Sequence, residues 1–238
     1  MQLKDARQIA NRVGWLARQP KTFRKLVLDA TELQMRTPGE NVYGLGDPPG
    51  GLHCLVDGYL DVFTTAGAFN PFLGFIARPG WWAGDVAAIT RSERRAEVRA
   101  RTEVVLLFVP GHKIEQIARQ DPVLWRRLGE LNAEHLDNAL LFAVTALQRD
   151  VRTRLLATLI RLASFEATFD AEIEIDCTQA DLAEMAGLTR NTIGGALKEL
   201  QAEGLVSRRY GRIAYNPVCL RAVLPTVPEI ETYGSGGR

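Results

Sequence analysis

Cysteine and histidine are scarce, three of each in 238 residues. Cys54, Cys177 and Cys219 lie far apart, with no CxxC pair among them. So small and scattered a set supplies neither a disulfide framework nor the four thiolates of a structural zinc or an iron–sulfur cluster. His53, His112 and His135 are equally dispersed, and the P-loop, G-x-S-x-G and H-E-x-x-H patterns are missing. The expectation is a protein that is not an enzyme and holds no metal. His53 beside Cys54 is a haem-ligand candidate on paper, more simply read as an ordinary strand residue. No apolar run approaches the roughly 20 residues of a membrane helix, and Met1–Ala10 lacks the apolar stretch of a signal peptide. These gaps lead us to expect a chain of the reduced cytoplasm with no membrane partner. Net charge is only +1, so affinity for an acidic polymer must come from a local patch.

What is present suits two globular domains: 46% of residues are hydrophobic, and the length exceeds that of one ordinary domain. Residues 3–30 read as helical, with Ile9, Val13, Leu16, Phe23, Leu26 and Val27 at near-helical spacings. From about Thr31 turn dipeptides recur, and Leu52–Val56 and Tyr59–Thr64 flank Asp57-Gly58, a strong hairpin signal. With Phe72–Ala77 and Glu103–Val109, these short strands predict a β-barrel or sandwich, in a first domain over residues 1–120. The period then turns helical. His112–Arg119 makes a short helix, and Asp121-Pro122 offers an N-cap and first-turn proline for a long one over 121–148. Along it Leu136, Leu140, Ala143 and Leu147 are spaced as a coiled-coil seam, which predicts a parallel homodimer. The plain alternative is a helix packed on its own barrel.

Asp150 caps a further helix with Val151, Leu155, Leu159 and Leu162 on one face, and Glu172–Asp176 alternates as a strand. Thr178 and Asp181 form a capping box, Gly187 ends that helix, and Thr189 caps the next, whose inward face is Ile193, Ala196, Leu197 and Leu200. Two helices joined by so short a turn make a helix-turn-helix. Leu205–Arg208 and Arg212–Tyr215 then read as a wing. From Leu188 to Arg212 there are five basic residues (Arg190, Lys198, Arg208, Arg209, Arg212) against Glu199 and Glu203. Concentrated positive charge of this kind neutralises phosphates, so double-stranded DNA is the expected partner. The residues expected to meet it are Thr178, Gln179, Thr189, Arg190, Asn191, Thr192, Gly195, Lys198 and the three wing arginines. A winged helix-turn-helix is expected over 149–224, with a loose tail over 225–238.

At these residues the sequence resembles the Crp–Fnr superfamily of bacterial transcription regulators. The likeness is carried by Gly39-Glu40, Gly46-Asp47, Val56-Asp57-Gly58, Pro79–Asp85, Arg94–Ala100, Asp150–Leu155 and, most specifically, Leu188–Gly195. The resemblance implies an α+β chain: an antiparallel β-roll or jelly-roll sensor of cyclic-nucleotide-binding type, a dimerisation helix and a DNA-reading head. It also implies a homodimer on a two-fold-symmetric operator, an effector that poses the reading heads and, for an activator, RNA polymerase as a partner. The family's phosphate cassette falls on Gly84, Asp85, Arg94 and Arg95. Asp85 is shorter than the usual Glu, Arg95 replaces a small hydroxyl, and the adenine-facing positions of the long helix fall on Ala139 and Leu140. Those departures disfavour cyclic AMP and leave a small anionic effector at Arg94 and Arg95. The plain reading of these arginines is solvated charge on a barrel loop beside Glu93 and Glu97. A ligand-binding module that acts through protein partners is the alternative function; it has no need of Arg190, Lys198 or the wing.

Overall fold

The computed structural model describes residues 1–65, 70–163 and 171–224; the expected tail over 225–238 lies outside the described residues. The helical stretch at the start is three helices, not one: α1 (Leu3–Ala10), α2 (Gly14–Ala17) and α3 (Lys21–Asp29). The breaks fall at Gly14 and at Pro20, whose extended backbone precedes α3 and whose ring cannot continue a helix. Ala6, Ala10, Trp15, Leu16, Phe23 and Val27 bury their side chains against one sheet of the sensor.

The sensor is an antiparallel β-sandwich, as expected. One four-stranded sheet is ordered β1 (Glu32–Arg36), β8 (Val104–Pro110), β3 (Gly51–Asp57), β6 (Trp82–Ala83). The other is ordered β2 (Asn41–Tyr43), β7 (Ala96–Ala100), β4 (Leu60–Thr64), β5 (Phe72–Ala77). In β3, Leu52, Cys54 and Val56 pack beneath the helices while Leu55 faces the other core. A strand covered on both faces explains its unbroken apolar run.

The expected Asp57-Gly58 hairpin is not formed. β3 pairs with β8 and β6, whereas β4 pairs with β5 and β7, so the dipeptide carries the chain from one sheet to the other. Gly58, at φ +86°, is needed there because a Cβ would sit 2.2 Å from the Glu103 carbonyl oxygen. α4 (Asp85–Thr90) bridges β6 and β7, and α5 (Gly111–Gln120) follows β8.

The long helix α6 is Leu124–Ala146, 23 residues and so about 35 Å long. It starts later than Asp121-Pro122 suggested, because the Asp121 carboxylate accepts from the Val123 N–H in a turn of its own. Leu124, Leu128 and Leu131 pack into the sensor core, so the first half of α6 behaves as an ordinary barrel helix. Its second half does not: Leu136, Leu140 and Val144 are each 55% exposed, and Leu147, its C-cap, is 79% exposed.

The reader comprises α7 (Val151–Leu162), β9 (Ile173–Asp176), α8 (Gln179–Ala186), α9 (Arg190–Ala202), β10 (Val206–Arg209), β11 (Arg212–Tyr215) and α10 (Pro217–Ala222). β11 lies between β10 and β9, giving the wing a third strand. One buried cluster runs without a break from β4, β5 and β7 into α7, α8 and α9. Among the described residues no helix is long and apolar enough to cross a membrane.

Candidate DNA-reading face and effector cavity

The reading unit is assembled by local chemistry. The Thr178 hydroxyl accepts from the Asp181 N–H at 3.2 Å while the Asp181 carboxylate accepts from the Thr178 N–H at 2.7 Å. Gly187 closes α8 in the left-handed region at φ +61°, and the Thr189 hydroxyl accepts from the Thr192 N–H to open α9. Leu182, Ile193, Leu197 and Leu200 are fully buried between the helices. This packing turns Arg190, Asn191, Gly195 and Lys198 outward together, all exposed. A Cβ at Gly195 would meet nothing within 4 Å, whereas one at Gly194 would come 3.2 Å from Gln179 Oε1. Gly194 therefore makes room for Gln179, and only Gly195 lies open.

The wing arginines are less free than their position in the sequence implied. Arg212 donates to Glu174 at 2.7 Å, Arg209 lies 3.7 Å from the same carboxylate, and Arg208 donates to Gln201 at 2.6 Å. The Glu174 charge holds the Arg212 guanidinium more firmly protonated than usual. Sequence reasoning missed Tyr210, which stands wholly exposed at the wing tip beside Arg209; its signal was an aromatic in a turn flanked by basic residues.

The sensor residues meet at a cavity of about 270 Å3. Gly84, Asp85, Arg94 and Arg95 all line it, but with unequal burial. Arg94 is 5% exposed, donates Nη2 to the Gly51 carbonyl at 2.8 Å and stacks on Tyr43, 4.3 Å from its ring centre. Its Nε and Nη1 are buried with no hydrogen-bond partner. Burial lowers the Arg94 pKa, against the pull of Tyr43, Asp47 and Asp85. The solvated-charge reading is thus wrong for Arg94 and right for exposed Arg95. Gly84 permits the approach: a Cβ there would fall 2.5 Å from Arg94 Nη1. Asp85, 2% exposed, places Oδ1 3.2 Å from His135 Nδ1 while Oδ2 has no hydrogen-bond partner.

On α6 the count that put both Ala139 and Leu140 at the ligand holds for one of them. Ala139 lines the cavity with Asn138 and Phe142, whereas Leu140 faces away into solvent. Two residues that periodicity did not single out complete the walls: His135 and, from α7 of the reader, Arg161. A lone charge between Ile160 and Leu162 was the one available sign of the latter. His53 is a strand residue in a buried ring stack, 4.6 Å from Phe108, and burial, helped by Arg94, pushes its pKa down to about 3.

Comparison with known proteins joins the two halves. The cyclic nucleotide-binding domain model matches residues 35–121 and the Crp-like helix-turn-helix domain model residues 153–217. The cAMP-activated global transcriptional regulator Vfr of Pseudomonas aeruginosa is 26% identical over 154 residues, 64% of this chain. That alignment spans 66% of the relative's own length, just under two thirds. FixK2 from Bradyrhizobium japonicum superposes with a TM-score of 0.70 at 18% identity, over 83% of this chain and 99% of that one. The c-di-GMP responsive global regulator CLP of Xanthomonas campestris gives 0.61 at 19%, over 83% and 99%. At such identities the two structures speak for the fold. A nucleotide-binding-type β-sandwich joined to a winged helix-turn-helix defines a DNA-binding transcription regulator. This chain belongs to the Crp–Fnr family of such regulators.

Proposed function

We propose that this regulator works as a homodimer on a two-fold-symmetric operator, in the bacterial cytoplasm, under the control of a small anionic effector in the sensor cavity. The observation that carries the dimer is the exposed stripe of Leu136, Leu140, Val144 and Leu147 along one helix. Exposed leucines in a continuous row are costly in water and stabilising once paired. Ala143, also exposed, completes the expected seam. A parallel pair would present two copies of α9 about one turn of DNA apart, with Thr178, Gln179, Thr189 and Thr192 beside the phosphates and Arg190, Asn191, Gly195 and Lys198 towards the bases.

The effector reading is supported by Arg94, buried and short of partners, facing a cavity whose walls are largely apolar. Cyclic AMP is a poor fit: Asp85 lies against His135, Arg95 faces solvent, and Ala139 offers adenine no hydrogen bond. RNA polymerase would be the protein partner where the regulator activates. Light scattering combined with duplex titration at two salt concentrations tests the reading. A dimer should bind one palindromic duplex with a steep negative salt slope; a monomer bound to a half-site would refute it.

A further inference from the structure

The cavity is not enclosed by the sensor alone. β4, β5, β7, α4 and α6 form most of its wall, and the remaining side is Arg161 from the first helix of the reader. Arg161 is 2% exposed. Its Nη1 donates to the Gly74 carbonyl of β5 at 2.6 Å, and its guanidinium lies 4.9 Å from the centre of the Phe142 ring. Burial lowers its pKa to about 10, which leaves it charged at neutral pH. Arg94 approaches the same space from the sensor with two N–H-bearing nitrogens buried and without partners. A buried guanidinium with unpartnered N–H groups is costly unless an acceptor meets it, and Arg161 presents a second cation to the same cavity. Tyr43, Phe72, Trp81 and Phe142 supply apolar and aromatic wall.

We infer that Arg161 is an effector-binding residue contributed by the DNA-binding domain: an anion with an aromatic body bridges Arg94 and Arg161, so that occupancy acts directly on the pose of α7. This rests on the effector reading above and names the class of effector and its route to the reader. The cavity, at about 270 Å3, lies at the small end of ligand sites, which suits an aromatic acid rather than a dinucleotide. α7 is a direct lever, because its buried Leu155, Leu159 and Leu162 belong to the same core as Leu182, Ile193 and Leu197 of the reading helices.

Full-length protein titrated with cyclic AMP and with anilinonaphthalene sulfonate, two aromatic anions of different acidic group, tests the inference. At least one should bind the wild type. Arg94→Gln and Arg161→Gln should each then lose about tenfold or more in affinity for it, the worth of one charge-assisted hydrogen bond. Arg95→Gln, altered at an exposed site, should change by less than about threefold. Hydrogen exchange on the wild type supplies a readout independent of whether Arg161→Gln folds: the bound probe should slow exchange in Val151–Leu162 as well as in Asp85–Thr90. Protection confined to the sensor, or unchanged affinity in a folded Arg161→Gln, would overturn the inference. So would failure of both anions to bind the wild type, while duplex binding by the same samples reports separately on the regulator reading.

Discussion

Arg101 of the sensor donates to Asp181, the third residue of α8, at 3.0 Å. The same guanidinium holds Asp61 at 2.6 Å and reaches Asp176 of β9 at 3.5 Å, with its side chain only 12% exposed. Further bonds cross the boundary between sensor and reader, among them those from the Leu73 N–H to Glu184, from the Tyr59 hydroxyl to the Glu174 carbonyl and from Arg161 to the Gly74 carbonyl. The carboxylate that completes the helix cap is therefore also the one that docks the reading head.

Asp181 should make stability depend on pH in a defined direction. Burial pushes its pKa up, but the hydrogen bonds from Arg101 and from the Thr178 N–H outweigh that and leave it below the ordinary aspartate value. A depressed folded pKa contributes stability that is present above the unfolded value and lost as pH falls through the folded one. Asp181→Asn should cost about 1–3 kcal/mol at neutral pH, between the worth of exposed and fully buried pairs. The gap between wild type and variant should hold down to about pH 5 and close in stronger acid. Urea midpoints measured across that range would contradict this if they coincided at neutral pH or diverged in acid.

Leu140→Glu should convert dimer to monomer. Leu140 makes no contribution to the buried core of its own chain and is 55% exposed, so the charge should leave the monomer's melting temperature nearly unchanged. Light scattering at increasing concentration gives the result; a variant that stays dimeric throughout would remove α6 as the interface.

Glu174 restrains the wing. Its carboxylate lies against both Arg209 and Arg212, and a phosphate must compete with it for them. Glu174→Gln should raise affinity for all duplexes alike. Arg209→Ala should lower the salt slope by about one unit, and by more than Arg212→Ala, whose guanidinium is the more firmly held. Gains restricted to some sequences would place these arginines at base edges instead.

How much of this was legible in the chain depended on whether the signal was local. Thr178, Asp181, Gly187 and Thr189 fix α8 and α9 through bonds spanning a few residues, so the reading unit was evident from spacing. Asp57-Gly58 carries the same local signal as a hairpin, yet the conformation at Gly58 answers to Glu103, a neighbour distant in sequence. The cavity was half legible. Arg94 stands in a motif, but its burial and the arrival of Arg161 from another domain are consequences of packing between β5 and α7, which no periodicity records.

Arg190 should be the residue that chooses a guanine. It stands at the first position of α9, exposed, one turn from Gly194 and two from Lys198 on the face turned away from Ile193 and Leu197. An arginine at the start of a recognition helix can reach guanine O6 and N7 together, the commonest specific contact in the major groove. Asn191 beside it suits adenine by the same geometry. Gly195 removes any side chain at the next position, and the open space there lets the helix backbone approach the groove. That approach offsets the roughly 1 kcal/mol that a glycine costs inside a helix relative to Ala. Arg190→Ala should therefore lose about 1–3 kcal/mol on the preferred operator and relax choice at one guanine per half-site. Gly195→Ala should stabilise the free protein slightly yet weaken specific binding, because the added methyl stands between backbone and base. Selection from random duplexes followed by affinity measurement decides both. If Arg190→Ala weakens every sequence equally, the arginine clamps phosphate. If Gly195→Ala leaves the selected operator and its affinity unchanged, the glycine is not there for the groove.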